Sequence, residues 1–101
     1  DLGVSVISEA ELRTGAAKSS APVKTLKRVE SFLVPLEILE FTSADAEAYA
    51  RVRARLERAG TPIGPLDTLI AAQALSRQLV LVSNHEREFR RVAGLRIENW
   101  A

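Results

Sequence analysis

The sequence predicts an α/β fold: a parallel sheet with helices on both faces. Three observations carry this. Short β-branched or apolar runs alternate with helical stretches along all 101 residues, Pro and Gly separate the stretches, and the run 79–82 is apolar at every position, as in a strand covered on both faces. The order is β, α, α, β, α, α, β, a polar segment with one anchor, and β, without repeats or low-complexity tracts.

The first strand is read over the run 2–7, where Gly3, Val4, Ser5, Val6 and Ile7 form its core. Ser8 is expected to cap the next helix, with Glu11 three residues on reaching back to it, and the helix fades at 18–20. Pro22 starts a second, amphipathic helix that ends before Pro35. Leu26, Val29 and Leu33 face inward beside Phe32, and Lys24, Lys27 and Arg28 take the opposite face. A strand comes next over 36–41. The helix 43–59 turns Ala48, Tyr49, Val52 and Leu56 inward, places Glu47 four residues before Arg51 in a favourable pairing, and carries an Arg51, Arg55, Arg58 stripe read as a solvated face.

Gly60, Thr61 and Pro62 stop that helix, and Pro65 suits the first position of the next. There Leu66, Leu69, Ile70, Ala71, Ala72, Ala74 and Leu75 cover most of the circumference, so this helix is buried on several sides. The strand 79–82, a polar stretch 83–91 anchored by Phe89, and a closing edge strand 95–97 complete the chain. The strands 4–7 and 79–82 are expected to run parallel in one sheet, with the helix from Pro65 packed across it.

Composition narrows the function classes. With 47% hydrophobic and 27% charged residues, 1–101 reads as a single folded domain. The net charge is +1, and neither half is a charged tail, so nucleic-acid contact must come from local basic clusters. Without Cys, and with one His, thiolate and imidazole-rich metal sites are excluded; a metal here would be hard and oxygen-bound. A reducing, cytoplasmic setting fits the absence of Cys. No apolar run approaches about 18 residues, so neither a membrane span nor a signal peptide is expected. The chain has no Met and starts at Asp1, just before a strand-like run, which points to a segment removed or left out upstream.

Ligands of parallel sheets sit outside the carboxyl ends of strands, which draws attention to the segments just after Ile7 and Val82. Glu11 lies a turn beyond the first; Asn84, His85 and Glu88 come after the second. Asp67 stands in the first turn of the most apolar helix, a costly place for a carboxylate unless it is paired, capped or bound to a cation. Each has a plain structural reading as well. Glu11 completes a capping box, Asp67 complements the helix dipole, Glu88 is solvated among Glu86, Arg87, Arg90 and Arg91, and His85 is an ordinary surface or core histidine.

As a set, these segments resemble a family. Ser8-Glu9-Ala10-Glu11-Leu12-Arg13-Thr14-Gly15-Ala16 looks like the second acidic motif of PIN-domain ribonucleases. Ile63-Gly64-Pro65-Leu66-Asp67-Thr68-Leu69-Ile70-Ala71-Ala72 resembles the third motif of the VapC-type toxins of bacterial toxin-antitoxin modules. Leu81-Val82-Ser83-Asn84-His85-Glu86-Arg87-Glu88-Phe89 and Gly94-Leu95-Arg96-Ile97-Glu98-Asn99-Trp100 are similar to the family's C-terminal stretch. Two departures stand out. The family's first strand, central in its sheet and carrying an Asp-Thr-Asn-like motif, has no counterpart here, and His85 stands where many members have an Asp, so that Glu88 or Asn84 substitutes or the site keeps fewer ligands.

The resemblance implies a PIN-like parallel sheet sandwiched by helices and missing its first, central strand. It implies a Mg²⁺- or Mn²⁺-dependent endoribonuclease toxin acting on structured RNA such as tRNA, neutralised by a VapB-type antitoxin and forming a homodimer. Glu11 and Asp67 are then metal ligands in one cleft, and Glu88 joins them as a catalytic residue. Asn84 and His85 are second-tier members, and Arg13 is a phosphate contact. The helices 22–34 and 43–59, with Phe32 and Tyr49 beside their inward stripes, are expected to supply the antitoxin or self-association surface, with Arg51, Arg55 and Arg58 available to meet acidic antitoxin residues. A non-catalytic interaction module of the same fold is the competing class. A generic nucleic-acid-binding domain is disfavoured by the near-neutral charge and by five aromatics.

Overall fold

The computed structural model describes residues 3–99. Its elements run β1 (Gly3–Ser5), α1 (Val6–Ala17), α2 (Pro22–Leu33), β2 (Glu37–Leu39), α3 (Ser43–Arg58), α4 (Pro65–Ser76), β3 (Val80–Val82), α5 (Glu86–Phe89) and β4 (Arg96–Glu98). The α/β order expected from the sequence is present, and the strands pair in parallel. Leu2 of the expected first strand and Trp100 of the C-terminal motif lie outside the described residues. The chain forms two compact units, Asp1–Phe41 and Thr42–Ala101.

In the first unit β1 and β2 pair in parallel, with Val4 opposite Ile38. A Cβ on Gly3 would meet the Glu37 carbonyl oxygen at 3.2 Å, so this close approach of the strands favours glycine. β1 ends two residues earlier than the sequence predicts. The Ser5 hydroxyl accepts a hydrogen bond from the Ile7 N–H at 3.1 Å, and this cap draws Val6 and Ile7 into the first turn of α1. The expected Ser8–Glu11 capping box is therefore corrected: Ser8 is already helical, and Glu11 is an exposed residue of the second turn. α2 begins at Pro22 and packs on α1 with Leu33 buried. Leu26 and Val29 are half-buried beside it, while Val23, Phe32 and the C-cap Val34 remain 72%, 59% and 81% exposed.

In the second unit α3 packs on α4, and Leu56, Ala71, Phe89 and Val92 form the buried cluster. Much of the inward stripe of α3 packs into the unit's own core, with Ala48 and Leu56 buried and Tyr49 half-buried. Both helices end in a left-handed residue whose flanking N–H groups satisfy the last carbonyls. At the end of α3 this residue is Gly60 (φ 71°), with Thr61 N–H bonded to the Leu56 carbonyl at 2.9 Å. At the end of α4 it is Gln78 (φ 56°), with Leu79 N–H on the Ala74 carbonyl at 2.8 Å.

The expectation of strands 4–7 and 79–82 in one sheet is also corrected. Among the described residues β1 pairs with β2 and β3 with β4, in two two-stranded sheets. Each strand finds its parallel partner within its own unit, across the α1–α2 crossover or the α5 connection. Nor is β3 covered on both faces. Leu81 packs against the core, while strand alternation turns Val80 and Val82 outward, 39% and 41% exposed.

Candidate active site

In the second unit, the Gly-Pro start of α4 and the turn after β3 position the candidate side chains. Gly64 caps α4 without a side chain, Pro65 fixes the first helical φ, and Asp67 falls at the third position. The Thr68 hydroxyl donates to the Gly64 carbonyl at 2.8 Å and holds this turn. Among the described residues no first-turn amide donates to the Asp67 carboxylate, so it does not act as its own helix's cap. Its side chain is 23% exposed, and its nearest titratable partner among the described residues is His85, with Nδ1 3.7 Å from Asp67 Oδ2.

The turn after β3 continues the ladder by one bond, Ser83 N–H to the Glu98 carbonyl at 3.0 Å, and the Ser83 hydroxyl then accepts the His85 N–H at 3.0 Å. These bonds set Asn84 and His85, both exposed, at the carboxyl end of β3. Phe89, 2% exposed, anchors α5 in the core. Glu88, the residue before it, is half-buried. Of the arginines near it in sequence, Arg90 pairs with Glu86 at 3.3 Å and Arg91 donates to the Pro62 carbonyl at 2.9 Å. Glu88 is thus half-buried, without an ion pair of its own among the described residues.

In the first unit Glu11 is exposed on α1. Arg13, the expected phosphate contact, pairs with Glu9 at 2.9 Å and lies 3.6 Å from Glu30 of α2. Among the described residues no three His, Asp or Glu side chains gather closely enough to enclose a cation by themselves.

Sequence reasoning passed over the most constrained acid in the chain, Asp45. It is fully buried at the third position of α3, where its Oδ2 accepts the Thr42 N–H at 2.8 Å and the Thr42 hydroxyl at 3.1 Å. Arg77, at the end of α4, reaches the same oxygen at 3.1 Å. Burial alone would push this carboxyl up. The Arg77 guanidinium, the Thr42 N–H and the Ser76 and Thr42 hydroxyls override that and hold it below the ordinary carboxylate range. The Thr-x-x-Asp spacing at 42–45 is the capping signal that marks it in the sequence.

The sequence profile of the PIN domain matches residues 1–95, which include Glu11, Asp67, His85 and Glu88. The tRNA(fMet)-specific endonuclease VapC of Salmonella typhimurium is 47% identical over 97 residues, covering 96% of this chain and 74% of that protein. The chain is a PIN domain of the VapC type. A ribonuclease VapC of Haemophilus influenzae is 45% identical over 97 residues, with the same coverage of 96% and 74%. In three dimensions this PIN domain matches the crystal structure of DNA-bound VapBC from Salmonella typhimurium with a TM-score of 0.93, at 47% identity, over 96% of this chain and 74% of that one.

Proposed function

We propose that this PIN domain belongs to a divalent-metal-dependent endoribonuclease toxin that cuts structured RNA, transfer RNA in particular, in the cytoplasm, and is held inactive by a VapB-type antitoxin. The observation that carries the reading is Asp67. It stands at the start of a helix with a side-chain-free cap, partly open to solvent, and no Arg or Lys neutralises it among the described residues. An unneutralised carboxylate of this kind is a cation ligand in waiting, and the 47% identity to a tRNA endonuclease supplies the substrate class.

The donor chemistry fits Mg²⁺ or Mn²⁺. The candidates are carboxylate oxygens, and Mg²⁺ is commonly held through one or two carboxylates while it keeps several waters, so a closed cage of protein donors is not required. The resemblance assigns Asp67 and Glu11 as ligands of the ion and Glu88 as the third carboxylate, with Asn84 and His85, in the turn between β3 and α5, as second-tier candidates. A divalent ion so held supplies a water of lowered pKa and neutralises charge on the phosphate. The side chains do the rest. Carboxylate oxygens of Asp67 and Glu88 accept hydrogen bonds from the attacking water and orient it in line with the scissile P–O bond. The water oxygen would bond to phosphorus as its proton passes to the Glu88 carboxylate, the P–O bond to the leaving oxygen would break, and that oxygen would take up a proton from solvent, to which Glu88 returns its own. Arg13, steadied by Glu9 and Glu30, keeps guanidinium donors for a phosphate oxygen.

The exposed apolar residues Val23 and Phe32 of α2 and Val34 at its C-cap support association with the antitoxin and a homodimeric state. The scarcity of converging donors among the described residues favours a second reading, a non-catalytic module of the same fold that only binds the antitoxin. One experiment separates the two. In the purified full-length protein, Asp67→Asn is expected to lower Mg²⁺- or Mn²⁺-dependent tRNA cleavage by at least about 100-fold, equivalent to about 2.7 kcal/mol of barrier. Antitoxin binding should stay unchanged, as should cleavage by an Arg58→Ala control. Equal cleavage by wild type and Asp67→Asn removes the metal role. Antitoxin binding without cleavage by wild type in either metal establishes the non-catalytic module.

A further inference from the structure

A hollow on the second unit has no part in the nuclease reading. It measures about 120 Å³, with Val52, Leu56 and Val92 among its floor residues and Arg51, Arg55 and Arg91 on its rim. Leu56 and Val92 belong to the buried cluster, so the floor is fixed core. Leu75, on the same wall, lies eight residues along α4 from Asp67, about 12 Å at the helical rise, which separates the hollow from the candidate active site.

The arginines are unusual in how they are left. On the same helix Arg53 is closed by Glu57 at 2.8 Å and by the Tyr49 hydroxyl at 3.2 Å. Arg51 and Arg55, one turn apart and exposed, have no acidic partner among the described residues, and the Glu47–Arg51 pair that the sequence predicts is not formed. Arg51 lines the hollow instead. Arg91 is steadied at the rim by its bond to the Pro62 carbonyl at 2.9 Å and keeps its other donors. Three guanidiniums around an apolar floor repel one another, and among the described residues no acid on this face of the unit neutralises them.

We propose that this hollow docks an acidic peptide segment of a partner protein, with one aliphatic side chain seated on the floor and carboxylates on either side meeting Arg51, Arg55 and Arg91. An apolar cavity of about 150 Å³ accepts a molecule the size of benzene, so this one suits a single aliphatic side chain. Charge complementarity fixes the flanking chemistry, since a guanidinium can take a carboxylate through two parallel N–H donors. Single-stranded RNA fits less well, because the floor offers no aromatic ring on which a base could stack.

The test is a phage-displayed random-peptide selection against the immobilised full-length protein, then affinity measurement on synthetic copies of the winners. The expected winners carry Leu, Ile or Val with Asp or Glu within four residues on both sides. Arg55→Glu and Arg51→Glu should each weaken them at least tenfold. Arg58→Glu, a charge-matched change outside the hollow, should cost less than threefold, with thermal midpoints of all three variants matching wild type. Four results would overturn the proposal: no peptide selected, as when a second copy of the chain covers the hollow; winners without acidic bias; winners indifferent to Arg55→Glu; or a labelled RNA oligonucleotide that binds through these arginines and displaces the peptides.

Discussion

Asp45 and Asp67 occupy the same place in two neighbouring helices, the third residue of α3 and of α4, yet their environments are opposite. Thr42 caps α3 with a hydroxyl, and its N–H and O–H both bond Asp45, which Arg77 then seals at 3.1 Å. Gly64 caps α4 with no side chain, and Asp67 has only the imidazole of His85 at 3.7 Å. The difference shows how a carboxylate is committed to structure or left for chemistry. The helix dipole favours both acids equally, so the cap residue and the nearest cation decide.

Exchanging each acid for its amide breaks the comparison most sharply. Asp67→Asn should cost at least about 100-fold in metal-dependent cleavage while the thermal midpoint in chelator holds or rises, because a carboxylate without a cation is lost. Asp45→Asn should show the reverse. Cleavage per folded molecule stays near wild type, and unfolding free energy falls by about 2–3 kcal/mol, below the usual cost of a broken buried pair because Arg77 is 29% exposed. Denaturant titration of both variants reads the two effects together; equal destabilisation would dissolve the distinction.

Acid sharpens the same contrast. Asp45 is held below its ordinary value in the folded chain, so its contribution is complete above the unfolded carboxylate value of about 3.9 and is lost as pH falls through the folded one. The wild-type thermal midpoint should therefore drop more steeply below about pH 4 than that of Asp45→Asn. Parallel curves for the two proteins would show that Asp45 is not so held.

The smallest effect concerns how the same two helices end. Gly60→Ala places a Cβ at φ 71° and should destabilise by about 1 kcal/mol. Gln78→Gly relieves a left-handed non-glycine residue and should stabilise by about 0.5–1 kcal/mol, read as a rise of a few degrees in thermal midpoint. A fall on Gln78→Gly would mean that the Gln78 side chain contributes more than its backbone conformation costs.

The sequence by itself determined the element order, the Pro22 and Pro65 helix starts, the inward stripe of α3 and the candidacy of Asp67, because periodicity, proline geometry and an isolated charge in an apolar helix are local signals. Ser5 defeated the local reading of the first strand: a hydroxyl that captures the Ile7 N–H outweighs the β preference of two branched residues. Strand partnership was decided only in three dimensions, since residues 79–82 read as apolar throughout while Val80 and Val82 face outward in a two-stranded sheet. The roles of the charges were decided there too. Arg77 is 32 residues from Asp45 in the chain, and Arg91 is 29 from Pro62; such pairings leave no mark in sequence spacing. A charge acquires its function from the partner the fold brings to it, or, at Asp67 and along the Arg51–Arg55 face, from the partner the fold withholds.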